Sequence, residues 1–141
     1  MSLGISDSGI VIGAGRTERT AAIDVVREYF DALARRDLTA ARDCLASGFV
    51  MTVPGNRQFV RLEDFLAFYG ERVSAIRKSI DGFEASEAPT GISVYAIGTM
   101  SGTWIDGTPF QDVRFCDRFV LRDGRVVEMQ IWSDLAELRP R

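Results

Sequence analysis

DVRFCDRFVLRDG, residues 112–124, alternates with the period of two that marks a half-buried β-strand. Val113, Phe115, Phe119 and Leu121 share one side, while Asp112, Arg114, Arg118 and Arg122 share the other. Asp117 keeps the spacing but not the chemistry. It stands among the large apolar residues, where a carboxylate has little water. The stretch closes on Asp123-Gly124, a pair suited to the positive φ angles of a tight hairpin, and 126–133 reads as the returning strand.

Working outward, 110–121, 92–105 and 83–88 read as further strands, with Asp106-Gly107 as a second hairpin turn. Before them the period changes. Ile23, Val26, Phe30 and Leu33 step by three or four, widened by Ala22, Val25 and Tyr29, which predicts a helix from Thr17 to Arg35 or Arg36. Asp37 is placed to N-cap a short second helix carrying Leu38, Ala41 and Leu45 inward. FVMTV, residues 49–53, reads as a strand, followed by a loop at Pro54-Gly55-Asn56. Leu62, Phe65, Leu66, Tyr69, Val73 and Ile76 then mark a third helix, closed by Asp81-Gly82. Three helices followed by an antiparallel meander predict a single α+β domain over 17–141. Its sheet curves strongly into a cystatin-like cone with an apolar interior, a natural small-ligand pocket.

Residues 1–16 are rich in Gly and Ser and are expected to form a flexible arm, with 1–3 read as added residues. IVIGAG, residues 10–15, imitates a dinucleotide-binding loop, but the third glycine of that motif falls on Glu18, an acid where pyrophosphate would sit. No cofactor is expected.

Composition narrows the function classes. The 141 residues are 46% apolar and 26% charged, as in an ordinary soluble domain of one core. A net charge of −3 provides no basic field for nucleic acid, and the apolar runs are too short to span a bilayer. No secretory leader pattern is visible, so a cytoplasmic protein with reduced Cys44 and Cys116 is expected. The sequence contains no histidine. That excludes a Ser-His-Asp or Cys-His catalytic unit and removes the commonest zinc ligand, and no metal site is expected. Proton chemistry must run on Asp, Glu, Tyr, Lys or water.

The order of elements, VVREYFDALARRDLTAARDCL (residues 25–45) and DRFVLRDGRVVEMQIWSD (residues 117–134) resemble the nuclear transport factor 2-like superfamily. Within it, the chain is most similar to ketosteroid isomerases and SnoaL-like polyketide cyclases, over about residues 20–135. The resemblance implies the cone fold and a homodimer formed over the convex face of the sheet, where Cys116 and Val120 lie between arginines. It also implies two site residues. Tyr29 takes the place of the isomerases' oxyanion-hole tyrosine. Asp117, followed by Arg118 and Phe119, takes the place of their second donor, a carboxylic acid kept protonated by apolar surroundings. The place of their general base falls on Val53, ahead of Pro54, and valine cannot take a proton.

Asp117 therefore has three readings. Desolvation keeps it neutral, as a hydrogen-bond donor to a ligand carbonyl beside the Tyr29 hydroxyl; or Arg57, Arg61 or Arg72 reaches in as a structural partner; or a β-bulge turns it outward. Tyr29 on its own reads as core with its hydroxyl at the rim. Among substitute bases, Asp31 and Asp112 are expected to face away, Asp134 ends the last strand as a cap or solvated group, Glu84 and Glu87 cannot be placed, and Asp117 itself could serve if ionised. The alternation assigns Phe49, Met51, Val53, Phe115, Phe119, Met129 and Ile131 to the pocket wall; Trp104, with Met100 on its face, is a further candidate. The expected ligand is a small apolar molecule carrying a carbonyl or hydroxyl. The expected function is proton transfer next to that carbonyl, or non-catalytic binding or dimerisation on the same fold.

Overall fold

Burial follows the alternation of residues 112–124 with one exception: Val113, Phe115, Asp117, Phe119 and Leu121 are buried and Asp112, Arg114 and Arg122 exposed, but Val120, expected on the open convex face, is buried too. The structure, a computed structural model, describes residues 9–140, with side chains from residue 15 onward. Its elements are α1 (Gly9–Ala34), α2 (Leu38–Asp43), β1 (Leu45–Val53), β2 (Arg57–Phe59), α3 (Leu62–Gly70), β3 (Val73–Ala88), β4 (Gly91–Trp104), β5 (Pro109–Arg122), β6 (Arg125–Ser133) and a final 3₁₀ turn (Leu135–Leu138). One curled, unclosed sheet holds all six strands in the order β2-β1-β6-β5-β4-β3. Its ladders are antiparallel except where β1 runs parallel to β6. This is the α+β cone that the sequence predicts.

The helices fill the hollow. Ala22, Val26, Tyr29 and Ala32 form the buried stripe of α1, with Ile23, Phe30 and Leu33 packed at its flanks. The stripe is centred one position away from the predicted one, which takes Tyr29 from the rim into the core. Arg36 ends α1 with a positive φ of 62°. Asp37 caps α2 by accepting from Ala40 N at 3.0 Å, and Asp123 and Gly124 both adopt positive φ in a two-residue hairpin, as expected. No described helix is long and apolar enough to cross a membrane.

Two expectations change. α1 runs from Gly9 rather than from Thr17, so IVIGAG lies on a helix; residues 1–8 of the expected arm lie outside the described residues. The third helix stops at Gly70, and Val73 and Ile76 belong to the long edge strand β3. Backbone bonds from Arg72 N to Tyr69 O and from Ile105 N to Arg72 O make the switch from helix to strand.

β3 bulges between Ile80 and Gly82, and β5 bulges opposite Ser101, where Asp112 takes a φ of 59°. The β5 bulge lies upstream of Asp117 and leaves its register intact.

Candidate functional site

Asp117 sits in the middle of three strands, opposite Ala96 of β4 and Ile131 of β6, with Phe115 and Phe119 on its own face. It is 1% exposed. The small side chain of Ala96 leaves the space above Asp117 to a group from elsewhere. That group is Lys78, whose Nζ donates to Asp117 Oδ2 at 2.5 Å. Asp117 Oδ1 is buried with no hydrogen-bond partner among the described residues, the Tyr29 hydroxyl included.

The curl of the sheet makes this contact. Lys78 pairs in register with Met100, and Asp117 with Ala96. On a flat sheet their Cα atoms would stand about 17 Å apart, at about 3.4 Å per residue and about 4.8 Å per strand, too far for the two side chains to bridge. The contact therefore crosses the hollow. Gly98 lies between those two rows, and a Cβ there would fall 2.0 Å from Ser79 O, so β3 and β4 approach at a distance that any side chain would forbid.

Lys78 is held on two more sides. Its Nζ lies 5.1 Å from the Phe30 ring centroid and 4.5 Å from that of Phe115. Its side chain is 23% exposed, so the ammonium stands between the buried acid and the outside. Phe30 also lines an open cleft of about 500 Å³ between α1 and β3, together with Ile23, Arg27, Asp31, Ile80, Asp81, Gly82 and Phe83.

Electrostatics links Asp117 to two phenols. Burial pushes its own carboxyl above the usual range; the charge and hydrogen bond of Lys78 pull the other way and do not cancel it. Tyr29, 2% exposed, is pushed upward chiefly by burial and further by Asp117. Burial likewise raises Tyr69 of α3, which feels both Arg72 and Asp117. The structure thus brings Tyr29 and Asp117 into one neighbourhood, and adds Lys78 and Tyr69.

Phe49, Met51, Val53, Trp104, Phe115, Phe119 and Met129 do converge on the hollow, as the alternation predicts, with Ile131 partly buried beside them. There they belong to one core cluster with the buried stripe of α1. Trp104 and Met100 are now placed: their face is the inner one.

The other acids are elsewhere. Asp134 pairs with Arg114 at 2.6 Å on the outer face, Glu87 with Arg19 at 3.7 Å, and Glu84 and Asp112 are exposed. Asp31 is exposed at the cleft. Arg57, Arg61 and Arg72, the partners weighed for Asp117, do not pair with it: Arg57 and Arg72 stack on Phe68 of α3, and Arg61 faces Glu63 and Asp64. Among the described residues no group of three His, Cys, Asp or Glu side chains could hold a metal ion, and Cys44 and Cys116 are unpaired.

Comparison with known proteins adds family and fold. The SnoaL-like domain matches residues 26–129. Among solved structures, an NTF2-like protein of unknown function from Burkholderia pseudomallei superposes with a TM-score of 0.73 at 23% identity, over 84% of this chain and 94% of its own. A putative polyketide cyclase from Silicibacter gives 0.64 at 19%, over 83% and 91%. An LEH-like epoxide hydrolase from M. tuberculosis gives 0.68 at 22%, over 86% and 88%. No functionally curated protein matches the chain.

Proposed function

Because the chain belongs to the SnoaL-like domain family, we propose that it is a small-molecule enzyme that moves a proton next to a ligand carbonyl, using Lys78, Asp117 and Tyr29. The observation that carries this reading is the orphan Oδ1 of Asp117 beside an Oδ2 already held by Lys78. A buried polar atom without a partner is costly in a folded protein and marks a place where a partner is due. Moving one ammonium proton from Nζ to the unpartnered Oδ1 turns the ion pair into a neutral acid whose Oδ1–H is a donor and a neutral amine that still donates to Oδ2 and has its lone pair free. Burial favours that neutral acid. The Asp117 hydroxyl, with Tyr29, then donates to the ligand carbonyl, and the Lys78 amine takes the proton from the adjacent carbon. The carbon–hydrogen electron pair passes to the carbonyl oxygen as an enolate, which the donors hold until the proton returns. Lys78 thus supplies the base that Val53 cannot. The ligand is small and largely apolar, with a carbonyl or hydroxyl, and enters past Phe30.

Deuterium exchange next to the carbonyl of small apolar ketones tests this. Lys78→Arg keeps a cation beside Asp117 but offers no base, and exchange is expected to fall about 10²-fold or more, as is Asp117→Asn. Exchange that is insensitive to both changes contradicts the reading.

The packed hollow favours a second reading, a non-catalytic binding or dimerisation module. On the convex face Ile97, Cys116 and Trp132 stand in one register row across β4, β5 and β6, with Ile97 and Trp132 exposed. A homodimer would cover that row, and a monomeric mass in solution would contradict it.

A further inference from the structure

A second constellation lies where α3 meets the sheet, apart from the Lys78–Asp117 pair. Phe68 carries two guanidiniums: Arg57 Cζ stands 4.6 Å from its ring centroid and Arg72 Cζ 3.6 Å. They come from separate segments, Arg57 from the start of β2 and Arg72 from the link between α3 and β3. Arg72 Nη1 donates to Phe68 O at 2.7 Å, which fixes that side chain. Phe68 in turn packs on Phe59, with centroids 5.4 Å apart, and on Tyr69, 5.2 Å apart.

Neither guanidinium forms an ion pair with an acid among the described residues. Their neighbours do: Arg61 lies 3.8 Å from Glu63 and 4.0 Å from Asp64, and Arg42 lies 2.6 Å from Glu63. Acids are therefore at hand, yet they are spent on other arginines. Two like charges share one ring, and each guanidinium has five N–H donors, of which Arg72 uses one on the Phe68 carbonyl. Stacking on an aromatic face orients such groups before any ligand arrives.

We infer that Arg57, Phe68 and Arg72 form a binding site for an oxyanion carried on an apolar or aromatic body, a carboxylate or a phosphate monoester. The two guanidiniums bind the anion with charge-assisted hydrogen bonds, and the body lies against the aromatic cluster of Phe59 and Phe68. The site stands independently of the proton-transfer reading, because its ligand is recognised by charge and not by reaction.

NMR titration with benzoate, phenyl phosphate and neutral benzamide tests it. Saturable shifts centred on the Arg57 and Arg72 Nε–H signals and on Phe68 are expected with the two anions and not with benzamide. The tighter of the two anions assigns the oxyanion. Arg57 is exposed and its side chain forms no hydrogen bond among the described residues, so Arg57→Gln is expected to keep the spectrum of the folded chain and to weaken binding about tenfold. Arg72→Gln should do the same, and the double change should abolish binding. Equal shifts with benzamide, shifts spread over other arginines such as Arg114 and Arg125, or an affinity unchanged by Arg57→Gln would each overturn the inference.

Discussion

Lys78→Met is expected to destabilise the protein by about 3 kcal/mol at pH 8 and by only about 1 kcal/mol at pH 3.5. Methionine keeps most of the stem that packs between Phe30 and Phe115, so the change removes the charge and hydrogen bond rather than volume. The pH dependence follows from the acid left behind. Asp117 has a folded value raised above its ordinary 3.8 by burial. A group raised on folding lends stability that is complete below the unfolded value and is lost as pH rises through the folded one. Lys78 is what limits that rise. Without it the folded value climbs further, so the variant loses more stability than the parent as pH increases. At pH 3.5 the carboxyl is mostly protonated in the folded and unfolded states alike, so the cost comes mainly from the lost hydrogen bond and ring contacts. Urea unfolding at the two pH values measures both numbers. An equal cost at each would mean that Asp117 does not depend on Lys78 for its charge balance. Lys78→Met combined with Asp117→Leu should recover most of the loss at pH 8, since no buried charge is then left without a partner.

Gly98→Ala is expected to cost about 3 kcal/mol, for a reason of geometry alone. The new Cβ would fall 2.0 Å from Ser79 O and 3.0 Å from Ile80 Cα, both backbone atoms that no rotamer change can move. β3 and β4 must part at that point. β3 also carries Lys78, two residues before Ile80, so the same change should loosen the contact with Asp117 across the hollow. Gly82→Ala is the internal control. It sits in the adjoining bulge with nothing within 4 Å of a built Cβ and no positive φ, and should stay within about 0.5 kcal/mol of the parent. Thermal or urea unfolding of the two variants separates a forbidden close approach from a general intolerance of β3.

The fold was legible because its signals are local. Alternation in β5, the Asp-Gly hairpin after it, the Asp37 cap and the apolar stripe of α1 each depend on residues a few positions apart. The buried acid was legible for the same reason, as a carboxylate in phase with Phe115 and Phe119. Its partner was not. Lys78 lies in a strand whose opening residues, Val73 and Ile76, also fit the helical spacing of Leu66 and Tyr69, so the period alone extends α3 past its end. Gly70, followed by the charged Glu71 and Arg72, was the available stop signal. β3 is an edge strand, and its pattern is weak because Val73 is buried while Ser74 to Arg77 are exposed. The pairing of Lys78 with Asp117 depends further on how sharply the sheet curls at Gly98, a property of several strands together. The packing of the hollow was equally beyond reach. Alternation places Met51, Val53, Phe119 and Met129 on the inner face, but whether that face meets a ligand or the flank of α1 depends on how deeply the helix sits.

The position of Asp117 connects fold and chemistry. A carboxylate fully paired on both oxygens would be a structural tie. One held on Oδ2 alone, behind a lysine that is still partly in contact with solvent, keeps a free oxygen in an apolar wall. A ligand hydroxyl can complete it by donating to Oδ1, and a ligand carbonyl can do so by accepting once Oδ1 carries the acid proton.

The most direct test is to follow the Asp117 carboxyl carbon by NMR across the acid-to-neutral range, with the protein folded throughout. A midpoint above 3.8 is expected, moving higher still when Lys78 is replaced by methionine. A midpoint at or below 3.8 in the parent, or one that ignores the loss of Lys78, would contradict it.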